Sequence, residues 1–152
     1  MLARSQVQHK MADIRDLLCD LARQYDLVAL YAFGSRAAEI TARVTGKMVA
    51  VAFPSSDVDI GVLPARGHCL AAQDRVRLTI ALEDALDVDR VDLVILPEAS
   101  PYLALDVVCG ELLYVTDPDA EAEYQLYVLR RAGDLAPLER ERRRMLLEEE
   151  AI

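Results

Sequence analysis

The chain has 152 residues, 53% of them apolar, and carries 17 basic against 26 acidic side chains for a net charge of −9. That is sequence enough for one compact domain with a real core. The acidic excess gives the bulk field the wrong sign for a free-standing nucleic-acid binder, and 6 Gly with 6 Pro are too few for collagen-like or broadly disordered chain. Cys19, Cys69 and Cys109 show no CxxC spacing and His9 and His68 have no partner at ligand spacing, so no zinc site is expected and the cysteines read as reduced, buried small hydrophobes. The opening residues hold too short an apolar run for a signal peptide, and no stretch is long enough to span a bilayer. The expectation is a cytoplasmic protein with no membrane association.

In chain order, apolar residues at Met11, Ile14, Leu18, Leu21, Ala22 and Tyr25 recur at helical spacing and predict an amphipathic helix. LVALYAF, 27–33, is continuously apolar and stops at Gly34-Ser35, as a strand covered on both faces would. A short helix over RAAEIT follows, then a short extended arm from Lys47 to Phe53 that Pro54 stops. DVDIGVL, 57–63, alternates: Val58, Ile60 and Val62 lie on one face, Asp57, Asp59 and Gly61 on the other. A long helix is expected from Cys69 to Leu86, with Leu70, Gln73, Val76, Arg77, Ile80 and Leu86 among its stripe and flanks, and VDLVIL, 91–96, forms the next strand. Ser100-Pro101 opens a helix ending near Gly110, ELLYV makes a strand at 111–115, and Asp119 to Arg131 makes a helix burying Ala122, Leu126 and Leu129 and stopping at Gly133. The ERERRR-rich segment from Leu135 onward reads as a final charged helix or a partly frayed one. The whole is an α/β domain over 1–152, with a core at about 11–117 and a helical tail at about 118–152.

Three features carry chemistry together: Gly34-Ser35 at a strand end, Asp57 and Asp59 on one face of the next strand, and Asp92 within a later apolar strand. Carboxylates at i and i+2 point the same way with Cβ atoms roughly 6 to 7 Å apart, and they repel unless a cation lies between them. Mg²⁺ takes hard oxygen ligands at about 2.0 to 2.1 Å and would bridge them to substrate phosphates. Asp92 needs a partner or an ion inside its apolar run. Gly34 permits close approach of a phosphate, and Ser35 offers a hydroxyl and an N–H where a helix begins.

YAFGSRA at 31–37, SDVDIGVL at 56–63 and VDLVIL at 91–96, with weaker support from PYLALDVVCGELLYVTD at 101–117, resemble the nucleotidyltransferase domain of the DNA polymerase beta superfamily. The likeness covers about Leu17 to Asp117 and is greatest to the minimal nucleotidyltransferases that act as antitoxins beside a HEPN-domain toxin. It implies a mixed-sheet, polymerase-beta-like fold with a helical tail. It also implies transfer of AMP from ATP to a hydroxyl, with two Mg²⁺ ions on Asp57, Asp59 and Asp92, and with Gly34 and Ser35 gripping the β and γ phosphates. Asp92 would hold the ion beside the incoming hydroxyl and help to take its proton. The implied acceptor is a tyrosine of the cognate toxin, which is neutralised; a hetero-complex or homo-oligomer fits that role.

One departure is the long, partly apolar insertion TARVTGKMVAVAFP, 41–54, where the family commonly has a short polar loop. It brings Arg36, and more weakly Arg43 and Lys47, forward as phosphate contacts. Two other readings stay open: the same chemistry on a cationic small molecule such as an aminoglycoside, and an antitoxin that blocks its partner by contact with its transferase site idle.

Overall fold

The computed structural model of the chain describes residues 14–47 and 56–150. The start of the first helix, His9 and nearly all of the expected extended arm lie outside them. Four strands form one mixed sheet: β1 (Leu27–Phe33), β2 (Val58–Pro64), β3 (Val91–Ile95) and β4 (Glu111–Val115), in the order β3-β2-β1-β4. β1 runs antiparallel to both β2 and β4, while β2 and β3 are parallel. Parallel neighbours need a crossover, and helix α3 (Ala72–Leu86) supplies it. A helix over 14–24, α1, precedes β1, and α2 (Ala37–Thr45) follows it. After β3 come a 3₁₀ turn (Leu96–Glu98), α4 (Pro101–Val108) and, beyond β4, α5 (Pro118–Glu150).

β1 is buried on both faces, which is why its sequence is apolar without alternation. Leu30, Ile60 and Val62 face a core closed by Leu18 of α1, Ile40 of α2 and Leu78 and Leu82 of α3. Tyr31 and Leu63 face a second core against Val107 of α4 and Val128 of α5. Gly61 is what lets α4 sit so close: a Cβ there would stand 2.3 Å from Val107 Cγ1. Gly61→Ala is therefore expected to cost about 1–3 kcal/mol, read as a lower urea midpoint at unchanged m. The start of α4 is as its sequence indicates, with Pro101 in the first turn and Ser100 Oγ accepting from Leu103 N at 3.3 Å.

Three expectations are corrected. First, α5 does not stop at Gly133; one helix continues to Glu150 with Pro137 inside it. Gly133 is not among the described glycines with positive φ, so it supplies no left-handed stop. Pro137 removes the N–H that would serve the Gly133 carbonyl, and the turns beyond it gain pairs such as Arg144–Glu141 at 2.7 Å and Arg144–Glu148 at 3.3 Å. Second, helix faces are rotated from expectation. α5 buries Glu121, Val128 and Ala132 and exposes Ala122, Leu126 and Leu129, because Tyr31 O–H donates to Glu121 and draws that face onto β1. α3 buries Leu86 as expected, but beside it Leu78 and Leu82, and leaves Val76 and Ile80 exposed. Both sides of α3 are apolar, so periodicity alone did not choose between them. Third, Cys69 and Cys109 are exposed and Cys19 only half-buried, since Cys69 precedes α3 and Cys109 caps α4.

Candidate active site

β1 ends at Phe33, whose register partner on β2 is Asp59. The next residue, Gly34, turns with φ +74°, and its Cα lies so close to Asp59 that a Cβ would fall 2.4 Å from Asp59 Oδ2. Gly34 and Ser35 are exposed and lead directly into α2. A phosphate placed there would meet a backbone with no side chain in the way and the positive end of a helix dipole.

On the other side of Asp59 stands Asp92, its register partner in the parallel pair β2–β3. Register partners share a face, about 4.8 Å apart across the ladder. That face is the one carrying Leu63 and Val94 toward α4 and α5, opposite to Ile60 and Leu93. Asp57 lies two residues before Asp59, with the ladder continued beside it by Val58 N donating to Arg90 O at 3.0 Å. Burial, then Asp92, then Asp57 push the Asp59 carboxyl above the usual carboxylate range.

Asp57 also leans on Arg90, with Nε 3.6 Å from Oδ2. Both side chains are open to water, 45% and 76% exposed, so the pair is worth at most about 1 kcal/mol and yields readily to a stronger ligand. Among the described residues no three side chains of metal-ligating type stand close enough to chelate an ion as they lie. A hard divalent cation nonetheless fits the donor set: three carboxylates, one of them already strained by the other two, and a competing arginine that is weakly held.

The structure gives Arg36 a task within the fold. It is 6% exposed, and its guanidinium is fully engaged: Nε and Nη2 donate to Glu39 at 2.7 and 3.0 Å, and Nη1 donates to Ser56 O at 2.9 Å. It thus ties α2 to the residue just before Asp57. Arg43 is similarly committed, to Glu39 and to the carbonyls of Leu86 and Asp87 that end α3. Lys47 is exposed at the border of the described residues. Sequence reasoning missed Glu39 as the hub of this network, although Arg36, Glu39 and Arg43 stand at i, i+3 and i+7 on one helix, the spacing of ion-paired neighbours.

The hydrogen bond from Arg36, and the charges of Arg36 and Arg43, hold the Glu39 carboxyl below the usual range. The resulting stability is fully present above the unfolded value of about 4.3 and is lost as pH falls through the depressed folded value. Denaturation between about pH 5 and pH 2 should accordingly show a steeper loss in the wild type than in Glu39→Gln, and at neutral pH Arg36→Ala should cost about 1–3 kcal/mol. Equal acid slopes in the two proteins would contradict this assignment.

Residues 17–119 match the family model described as polymerase beta, nucleotidyltransferase, and the chain belongs to that family. The match takes in Gly34, Ser35, Asp57, Asp59 and Asp92. Among curated proteins no relative matches the chain significantly. Among solved structures it is similar to that of a toxin-antitoxin with AMP-PNP, with 26% identity, 91% of this chain and 98% of that chain covered, and a TM-score of 0.61. A second is the tri-AMPylated Shewanella oneidensis HEPN toxin in complex with MNT antitoxin, with 26% identity, 93% and 99% coverage and a TM-score of 0.58. A third is the MntA-HepT toxin-antitoxin, with 25% identity, 91% and 97% coverage and a TM-score of 0.59. The chain thus has the fold of the minimal nucleotidyltransferase antitoxins. Among the described residues no helix is long and apolar enough to cross a membrane.

Proposed function

We propose that the chain moves AMP from ATP to a tyrosine hydroxyl of a cognate HEPN-domain toxin, in a Mg²⁺-dependent reaction in the cytoplasm that neutralises the toxin. The observation that carries this reading is the row Gly34, Asp59, Asp92 across three adjacent backbone segments, which sets an open glycine turn beside paired carboxylates. The similar structures with AMP-PNP and with an AMPylated toxin support the nucleotide and the class of acceptor.

In this reading Gly34 and Ser35 hold the β and γ phosphates by backbone N–H and hydroxyl donors, leaving the α-phosphorus over the carboxylates. Asp57, Asp59 and Asp92 would hold two Mg²⁺ ions, whose chemistry there would be to neutralise triphosphate charge and acidify the acceptor hydroxyl. Asp92 orients that hydroxyl and takes its proton. The acceptor oxygen bonds to the α-phosphorus, the bond to the bridging oxygen breaks, and pyrophosphate leaves with the electron pair. Positioning and charge compensation supply most of the acceleration.

Pyrophosphate release in the presence of ATP tests the reading. It should require the toxin and Mg²⁺ together, and should cease when the toxin's acceptor tyrosine is replaced by Phe. Inhibition of the toxin with no pyrophosphate formed would instead establish neutralisation by contact, and release supported by an aminoglycoside but not by the toxin would establish a small-molecule acceptor.

A further inference from the structure

Among the described residues β3 is an edge of the sheet, with β2 on one side and no strand on the other. The aim of its peptide groups can be followed from its first residue. Val91 N–H donates not to β2 but to Glu83 Oε1 of α3, at 3.0 Å, whereas Arg90 O accepts from Val58 N on the β2 side. Alternation along a parallel ladder then turns the N–H and C=O of Leu93, and the N–H of Ile95, away from β2 as well. Among the described residues these groups form a free strand edge, the template to which another extended chain pairs.

A cavity of about 560 Å³ follows that edge. Val76, Thr79 and Ile80 of α3 wall one side, and Glu98, Ala99 and Leu103 the other. Val76 and Ile80, one helical turn apart, are 60% and 52% exposed, a large apolar surface for a helix whose opposite side fills the core. α3 runs antiparallel to β3, so Glu83 and Asp92 mark one end of the groove, and the Arg75–Glu98 ion pair, at 2.6 Å, bars the other. The groove therefore opens at a carboxylate of the candidate active site. Its ionised lining is acidic overall, with Glu83, Asp92 and Glu98 against Arg75.

We infer that the free edge of β3 is the acceptor-docking site: the toxin segment bearing the acceptor hydroxyl adds beside β3 as a fifth strand, with the acceptor residue in register with Asp92. This rests on the reading above that the acceptor is a protein. A polypeptide in extended form offers alternating donors and acceptors at the spacing that Leu93 and Ile95 present, which a compact small molecule does not. Register partners share a face, so a side chain opposite Asp92 projects on the side of Asp92 and Asp59. Apolar residues of the segment would pack on Val76 and Ile80, and basic residues near the acceptor would answer the acidic lining.

Hydrogen exchange of the full chain, alone and with the cognate toxin in the absence of ATP, tests this without relying on turnover. The amides of Leu93 and Ile95 should slow about ten-fold or more in the complex. Unchanged exchange at β3 in a formed complex overturns the inference, as does slowing that grows with the concentration of this chain alone, which would make the edge a contact between copies. In steady-state AMP transfer, Ile80→Asp, a change at an exposed position, should raise KM for the toxin about ten-fold or more, whereas Leu126→Asp on α5 should not; an unchanged KM for Ile80→Asp also overturns it. Protection of Leu93 by the toxin with no AMP transferred by the wild type would leave the docking site standing and remove the proposed function.

Discussion

Asp59→Asn is expected to lower AMP transfer at least about 10³-fold and, in the absence of metal, to yield a more stable protein rather than a weaker one. The two effects share one cause. Asp59 has Asp92 beside it on β3 and Asp57 two residues upstream, and burial together with those charges raises its carboxyl above the ordinary range. For a carboxyl raised in the folded state, the favourable contribution is complete below the unfolded value of about 3.9 and is lost as pH rises through the folded value. At neutral pH the metal-free wild type therefore carries the full repulsion, and the amide relieves it. Thermal melts in EDTA should place the variant above the wild type at pH 7, with the gap closing as pH falls toward 4. Adding Mg²⁺ should raise the wild-type midpoint through binding to the folded state alone and leave the variant nearly unmoved. An equal response of both proteins to Mg²⁺ would show that Asp59 is not a ligand.

The second large effect is expected from Gly34→Ala. A Cβ at Gly34 would lie 2.4 Å from Asp59 Oδ2, and the backbone there has φ +74°. The left-handed conformation costs an alanine about 1 kcal/mol. The clash itself adds little to folding, because the tip of a carboxylate can swing aside. Swinging aside is what catalysis does not tolerate, since an ångström of displacement in a positioned group costs on the order of 10² in rate. Gly34→Ala should thus lose about 10²-fold in kcat with a stability change of only about 1 kcal/mol, separable by kinetics beside urea denaturation. A variant with nearly full kcat would mean that Gly34 does not position Asp59 for reaction.

The row of candidate site residues was legible in the sequence because each lies in a short string whose pattern is local: an apolar strand ending in Gly34-Ser35, an alternating strand carrying Asp57 and Asp59, and Asp92 alone among apolar neighbours. Their adjacency was not written there. It follows from the antiparallel register of Phe33 with Asp59 and the parallel register of Asp59 with Asp92, which depend on the α3 crossover. The part Arg36 plays in the fold was hidden for the same reason. Its fate is decided by Ser56, 20 residues away, and by the burial of Glu39, neither visible from a basic residue beside a phosphate-type turn. The stop assigned to Gly133 failed because glycine permits a helix end without imposing one. On α3, two apolar stripes were equally readable, and the sheet selected the leucines; the stripe left outside is what gives the β3 edge its apolar wall.

The central claim is that this carboxylate row transfers AMP to protein. Its most direct measurement is the intact mass of the cognate HEPN-domain partner after incubation with ATP, Mg²⁺ and this chain, beside a control carrying Asp57→Asn and Asp59→Asn. Gains of about 329 Da per AMP are expected with the wild type, none with the control, and toxin activity should fall in step with the modified fraction. A partner of unchanged mass that is still neutralised by the wild type would contradict it.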